Sequence, residues 1–136
     1  RPRIMASILR VNTLTDASGN NSIATSVVFN GVNKVWLRKA ADGASIPDSY
    51  NVSSVDDDGT GQIGVNISSA MSNALYSITT SIMPDGNTTV IGTCEINEFT
   101  TITTTAFDAE TAYANSANNR TDFDYAAGIA VQGDLA

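Results

Sequence analysis

The sequence predicts an all-β fold: an antiparallel β-sandwich, jelly-roll-like, of about eight to ten short strands with an extended N-terminal arm. Three observations carry this expectation. Thr (16), Ser (14) and Asn (13) make up 43 of the 136 residues, and only 15% of the chain is charged. The branched Cβ of Thr suits a half-exposed pleated strand, while Ser and Asn side chains bond nearby backbone groups in turns. Apolar residues recur with a period of two, and turn signals separate the alternating runs at roughly even spacing.

Taken in order, residues 7–14 read as a strand with Leu9, Val11 and Thr13 on one face. Residues 16–21 are a turn cluster around Gly19. Residues 23–30 read as a strand, and Asn30-Gly31 as the tight turn of a hairpin into a second strand over 32–39. Residues 40–48 form a loop with Gly43 and Pro47. A strand over 50–55, a tight acidic turn over 56–61 and a strand over 62–68 make the clearest hairpin, with Ile63, Val65 and Ile67 on one face. Residues 68–75 read as coil. Tyr76, Ile78, Thr80 and Ile82 alternate on the next strand, and a turn follows at 84–87. Val90, Gly92, Cys94 and Ile96 alternate in turn, and residues 100–105 are strand-prone. Residues 107–120 read equally as a short helix, by the propensity of 109–117, or as a loop, by Asn115, Asn118 and Asn119. Residues 122–133 read as one long closing strand with Phe123, Tyr125, Ala127, Ile129 and Val131 on one face. The expected organisation is an attachment and oligomerisation arm over 1–30 and a sandwich domain over 31–136.

Composition excludes several kinds of chemistry. The formal charge is −7, with seven cations against fourteen acids, which opposes phosphate binding by DNA- or RNA-reading surfaces. With no His and one Cys, the chain can form neither an internal disulfide, nor a zinc site of the usual ligands, nor a Ser-His-Asp or Cys-His centre. Cys94 reads as a small buried hydrophobe. No apolar run reaches the ~18–20 residues of a membrane-spanning helix. No signal peptide is expected, since no apolar stretch follows the charges of the first ten residues. The chain opens on Arg, and Met5 reads as a natural start.

The candidate motifs favour plain readings. Asp56-Asp57-Asp58-Gly-Thr-Gly lacks the spaced ligands and terminal Glu of a calcium loop and reads as a solvated turn. Glu95, Glu98 and Glu110 are too few, and not visibly paired across a cleft, for glycoside hydrolysis. Neither Gly59-Thr60-Gly61 nor Asn30-Gly31 is followed by a phosphate-binding lysine pattern. Sequons at Asn20, Asn51, Asn66, Asn87 and Asn119 read as chance in so polar a chain. Of the aromatics, Trp36, Tyr50, Tyr76, Tyr113 and Tyr125 could stack on sugars; Trp36, Tyr76 and Tyr125 are expected to pack in the core or at an interface. Tyr113, with Asn118 and Asn119, is the expected surface-recognition patch. No cofactor, metal or catalytic residue is expected.

Residues 5–21, Met-Ala-Ser-Ile-Leu-Arg-Val-Asn-Thr-Leu-Thr-Asp-Ala-Ser-Gly-Asn-Asn, resemble the opening of small tail-fibre-like structural proteins of marine bacteriophages, including cyanophages. Residues 47–71 are similar to a segment recurring in phage fibre and receptor-binding domains, in which strand, acidic glycine turn and strand are followed by a polar Ala-Met stretch. Residues 130–136 look like the final strand of the same proteins. The resemblance does not extend over residues 107–119. It implies a β-rich virion protein, a homotrimer serving host attachment. Leu9, Val11 and Leu14 would pool across subunits, with Trp36 as a further assembly contact. The implied partners are other copies of the chain, other virion proteins of tail or capsid, and a glycan or protein of the host surface, with no nucleic acid and no membrane insertion. Alternatives from the same sequence are a capsid decoration or head-fibre protein that stabilises the head lattice, and a carbohydrate-binding module or depolymerase fragment.

Overall fold

A computed structural model of the chain describes residues 10–83, 91–97 and 102–136. Leu9, the turn expected at 84–87, Val90 and Glu98 lie outside these. The chain divides into two compact units, Arg1–Val32 and Asn33–Ala136.

In the first unit, β1 (Thr13–Thr15) pairs antiparallel with β2 (Ser22–Ala24), Leu14 opposite Ile23. Asp16 closes the connecting turn: its Oδ1 accepts from Asn20 N at 3.0 Å and its Oδ2 from Asn21 Nδ2 at 2.7 Å. Gly19 supplies the left-handed residue, φ 73°. The strand expected over 23–30 is not formed. It stops at Ala24, and α1 (Thr25–Gly31) follows. Val27, Val28 and Phe29 are consecutive, so they set no period of two, and a short apolar run fits helix or strand alike. Asn30-Gly31 ends that helix rather than turning a hairpin, a place where these residues are equally at home.

The second unit is a sandwich of two antiparallel sheets. One has the order β4 (Asp48–Tyr50), β3 (Val35–Lys39), β11 (Ala126–Gln132), β7 (Ser77–Met83). The other centres on the nine-residue β9 (Ala106–Ala114). On one side β9 pairs with β8 (Gly92–Ile96); on the other, β6 (Gln62–Ile67) pairs with its first half and β10 (Arg120–Asp122) with its second, and β5 (Val52–Gly59) flanks β6. Val35, Leu37, Ile129 and Val131 of the first sheet meet Ile63, Val65, Ile67, Phe107 and Ala109 of the second in one buried core. The sequence-predicted faces of β6 and β11 therefore point inward. Among the described residues, no helix is long and apolar enough to cross a membrane.

Two expected strands are in fact two strands each, divided where the chain passes from one sheet to the other. The first break is Asn51, at φ 59°. Its Nδ2 donates to the carbonyls of Lys34 (3.0 Å) and Ser69 (3.1 Å), and its Oδ1 accepts from Ser69 N (2.7 Å). Asn tolerates the left-handed region and carries the donors and acceptor to hold a corner there. The second break is at residues 123–125. Asp124 Oδ1 accepts from Gly61 N at 2.8 Å and lies 3.6 Å from the buried ammonium of Lys39. Lys39 also donates to the carbonyls of Ala40 and Tyr125, which offsets the cost of burying its charge. Gly61, at φ 75°, packs so closely that a Cβ would stand 2.3 Å from the Thr111 carbonyl oxygen.

Three further expectations change. Residues 56–58 are not a turn; β5 runs through all three aspartates and the reversal falls at Gly59–Gly61. Residues 107–120 are neither helix nor free loop over their first half, which is the central strand β9. Helix propensity loses there to burial, since Ala109, between β6 and β8, and Ala112, between β8 and β10, are both buried. Residues 102–105 form a bend, because Thr103 Oγ1 accepts from Thr105 N (3.2 Å) and Ala106 N (2.9 Å), a local bond that competes with strand pairing.

Candidate functional site

Alternation along β9 sends Phe107, Ala109 and Thr111 to the core side of the five-stranded sheet and Asp108, Glu110 and Ala112 to its outer side. Register then assembles an acidic outer face: Glu95 lies opposite Glu110, and Asp122 opposite Ala112. Arg120, exposed at the start of β10, reaches into it. Its guanidinium donates to Glu110 and lies 3.2 Å from Asp122 and 3.4 Å from Glu95. Asn97 Nδ2 also donates to the buried Glu110 carboxylate.

Two shallow depressions mark this face. One, of about 270 Å³, is lined by Thr93, Glu95, Tyr113, Ala114, Asn118 and Arg120. The other, of about 260 Å³, is lined by Asp58, Gln62, Ile63, Asn97, Asp108 and Ala109. Beside the second, Gly64 leaves room for carboxylates: a Cβ there would stand 3.0 Å from Asp58 Oδ2 and 3.3 Å from Asp108 Oδ1. A register shift between Asp57 and Gly59 lets Asp56 and Asp58 both approach Gly64. Among the described residues, no group of three or more His, Cys, Asp or Glu side chains is disposed to hold a metal ion.

The structure brings together two of the three residues expected to recognise a surface. Tyr113 and Asn118 border the first depression, and Asn119 is exposed beside them. Tyr113 itself is not in a loop. It lies in β9, half-buried, its ring edge-on to Phe123 with centroids 5.9 Å apart. Asn118 and Asn119 do lie in a tight turn, organised by Asn115: its Oδ1 accepts from Ala117 N and Asn119 N, and Asn118 sits at φ 59°. The ion network on Arg120 was beyond sequence reasoning, because only the pairing of β8, β9 and β10 puts residues 95, 110 and 120 side by side.

The expected assembly residues separate. Val11 and Leu14 are exposed in the first unit, while Trp36 is in the second. Trp36 is not a core residue. On β3, Val35, Leu37 and Lys39 point inward and Trp36 and Arg38 outward. Trp36 lies opposite Tyr50 of β4, and Arg38 opposite Asp48. Tyr76 and Tyr125 do pack inward: Tyr76 is edge-on to Phe107 and donates to the Thr103 carbonyl, and Tyr125 is buried. Cys94 packs partly buried against the core, and burial pushes its thiol up to about 11, so it is protonated at neutral pH. Comparison with family models, with curated proteins and with solved structures returns no significant match for this chain.

Proposed function

We propose that this chain is a non-enzymatic structural virion protein of a tailed bacteriophage, a fibre-type component that assembles as a homotrimer and attaches the particle to the host surface. The observation that carries the assembly part is the first unit. None of its described residues is buried, and Val11, Leu14, Ile23, Val27 and Val28 are all exposed. A two-stranded hairpin with one short helix does not bury enough apolar surface to stand alone. Copies of the chain arranged about a symmetry axis supply the missing core, each contributing the same side chains. The resemblance of residues 5–21 to the opening of phage fibre proteins falls on this same unit and supports the virion setting. The second unit, packed and acidic, suits a stable module presented to the outside, soluble and indifferent to nucleic acid.

The full chain is tested by light scattering coupled to gel filtration at tens of micromolar, and by labelled-antibody electron microscopy of the particle that carries it. The expected mass is that of three copies of the 14.2 kDa chain, lost in the double variant Val27→Asp/Val28→Asp, with label at the tail. A monomer throughout overturns the trimer. Label spread over the capsid lattice overturns host attachment in favour of head decoration.

A further inference from the structure

The outer face of the four-stranded sheet has a chemistry the acidic face lacks. Strand pairing places Tyr50, Trp36, Ala130 and Thr79 in one row across the sheet, and Asp48, Arg38, Gly128 and Ser81 in the next. Directly opposed residues on one face have Cβ atoms about 4.5–5.5 Å apart, so the two aromatic side chains are neighbours, with a carboxylate and a guanidinium in the adjoining row. Trp36 is 37% and Tyr50 54% exposed. Beyond them the rows fall to the small residues Ala, Gly, Thr and Ser, up to the far side of the sheet, where the Met83 methyl lies against Gly128, 3.2 Å from where a Cβ would stand.

We infer that this platform, centred on Trp36 and Tyr50 with Arg38 and Asp48 beside them, is a binding site for a neutral, β-linked glucan oligosaccharide. Pyranoses whose ring substituents are all equatorial present a flat C–H face of slight positive charge, and the negative π-face of an indole or phenol is its complement. Arg38 donates to ring hydroxyls and Asp48 accepts from them, the stronger kind of hydrogen bond because each is charged. The two charges cancel, so the platform has no preference for an ionic sugar, and the net charge of −7 disfavours an anionic one. A protein partner is a poorer fit: two rings and a row of small residues fall well short of the ~800 Å² per side of a stable interface. The sugar site takes its biological setting from the attachment reading above, but its chemistry stands apart from the trimer.

Trp36 is the only tryptophan, so indole emission reports this site alone. The full chain is titrated with cellohexaose, with calorimetry in parallel. The expected result is a saturable emission change whose affinity matches the calorimetric one. Tyr50→Ala and, by calorimetry, Trp36→Ala should each weaken binding about tenfold or more, and Arg38→Ala should weaken it several-fold. Trp36, only 37% exposed, also gives up packing, so its variant should melt lower, with circular dichroism at the binding temperature showing the sandwich still folded. No emission change up to about 10 mM cellohexaose, or binding that survives Tyr50→Ala undiminished, overturns the site. A hexamer of a uronic acid that binds more tightly than cellohexaose also overturns it. Any of these can occur with trimer and tail location intact, and the reverse also holds, so the two readings fail separately.

Discussion

The two units differ in what holds them. In the sandwich unit the buried positions of β3, β6, β9 and β11 interlock into one core, and its corners are tied by Asn51 and by Asp124 with Lys39. The first unit has hydrogen bonds and regular structure but no buried side chain among its described residues. Backbone pairing and well-formed turns are therefore not sufficient to make a segment self-supporting; burial of apolar area is the missing term.

The largest effect that sharpens this contrast comes from cutting side chains in each unit. Phe107 is 1% exposed at the centre of the core. Phe107→Ala should cost ~3–5 kcal/mol in guanidinium denaturation of the sandwich, from lost transfer energy plus a cavity. Val27, 57% exposed in α1, has no such packing to lose. Val27→Ser should leave the same transition within ~0.5 kcal/mol, while shifting the oligomer equilibrium. Equal losses in the two variants would end the distinction.

How far the sequence could be read follows from the same physics. The all-β class, the β5–β6 hairpin and the inward faces of β6 and β11 were legible, because alternation of apolar residues against a single core repeats every two positions. The corners were not. Asn51 sits inside an alternating run, and its role comes from carbonyls at residues 34 and 69. The strand β9 was hidden because its Ala and Glu favour helix locally and Asn115, just past its end, favours a turn, and only its neighbours on both sides make it a strand. The candidate sites were half legible. Tyr113 and Asn118 do border one depression, yet the outward-facing Trp36 beside Tyr50 emerges only from register.

A middling effect tests packing within the sandwich unit. The Cys94 thiol, pushed up from an ordinary 9.0 to about 11 by burial, has roughly a hundredth of the usual thiolate at pH 8. Its reaction with a disulfide reagent should be at least about tenfold slower than that of an unhindered thiol, because the greater nucleophilicity of a more basic thiolate returns only part of the loss, and should reach the ordinary rate once guanidinium unfolds the sandwich. A fast reaction in the native protein would mean that β8 packs less closely than its contact with the core implies.

The smallest effect belongs to the first unit and concerns what does hold it. Asp16 has its carboxyl held below the ordinary 3.8, chiefly by the hydrogen bond from Asn21 and further by Ser18 and the backbone of Asn20 and Asn21. A carboxylate with a depressed folded-state value stabilises its turn above the unfolded value and loses that contribution as pH falls through the folded one. The β1–β2 turn should therefore be constant from neutral pH down to about 4 and loosen only below it. Amide exchange at Asn20, followed by nuclear magnetic resonance from pH 6 to 2.5, reads this directly. In Asp16→Asn the pH step should vanish. Any acid step of the sandwich unit comes from its own carboxylates at Lys39 and Arg120 and should persist in Asp16→Asn; a sandwich step that vanished in that variant would tie the two units into a single cooperative fold.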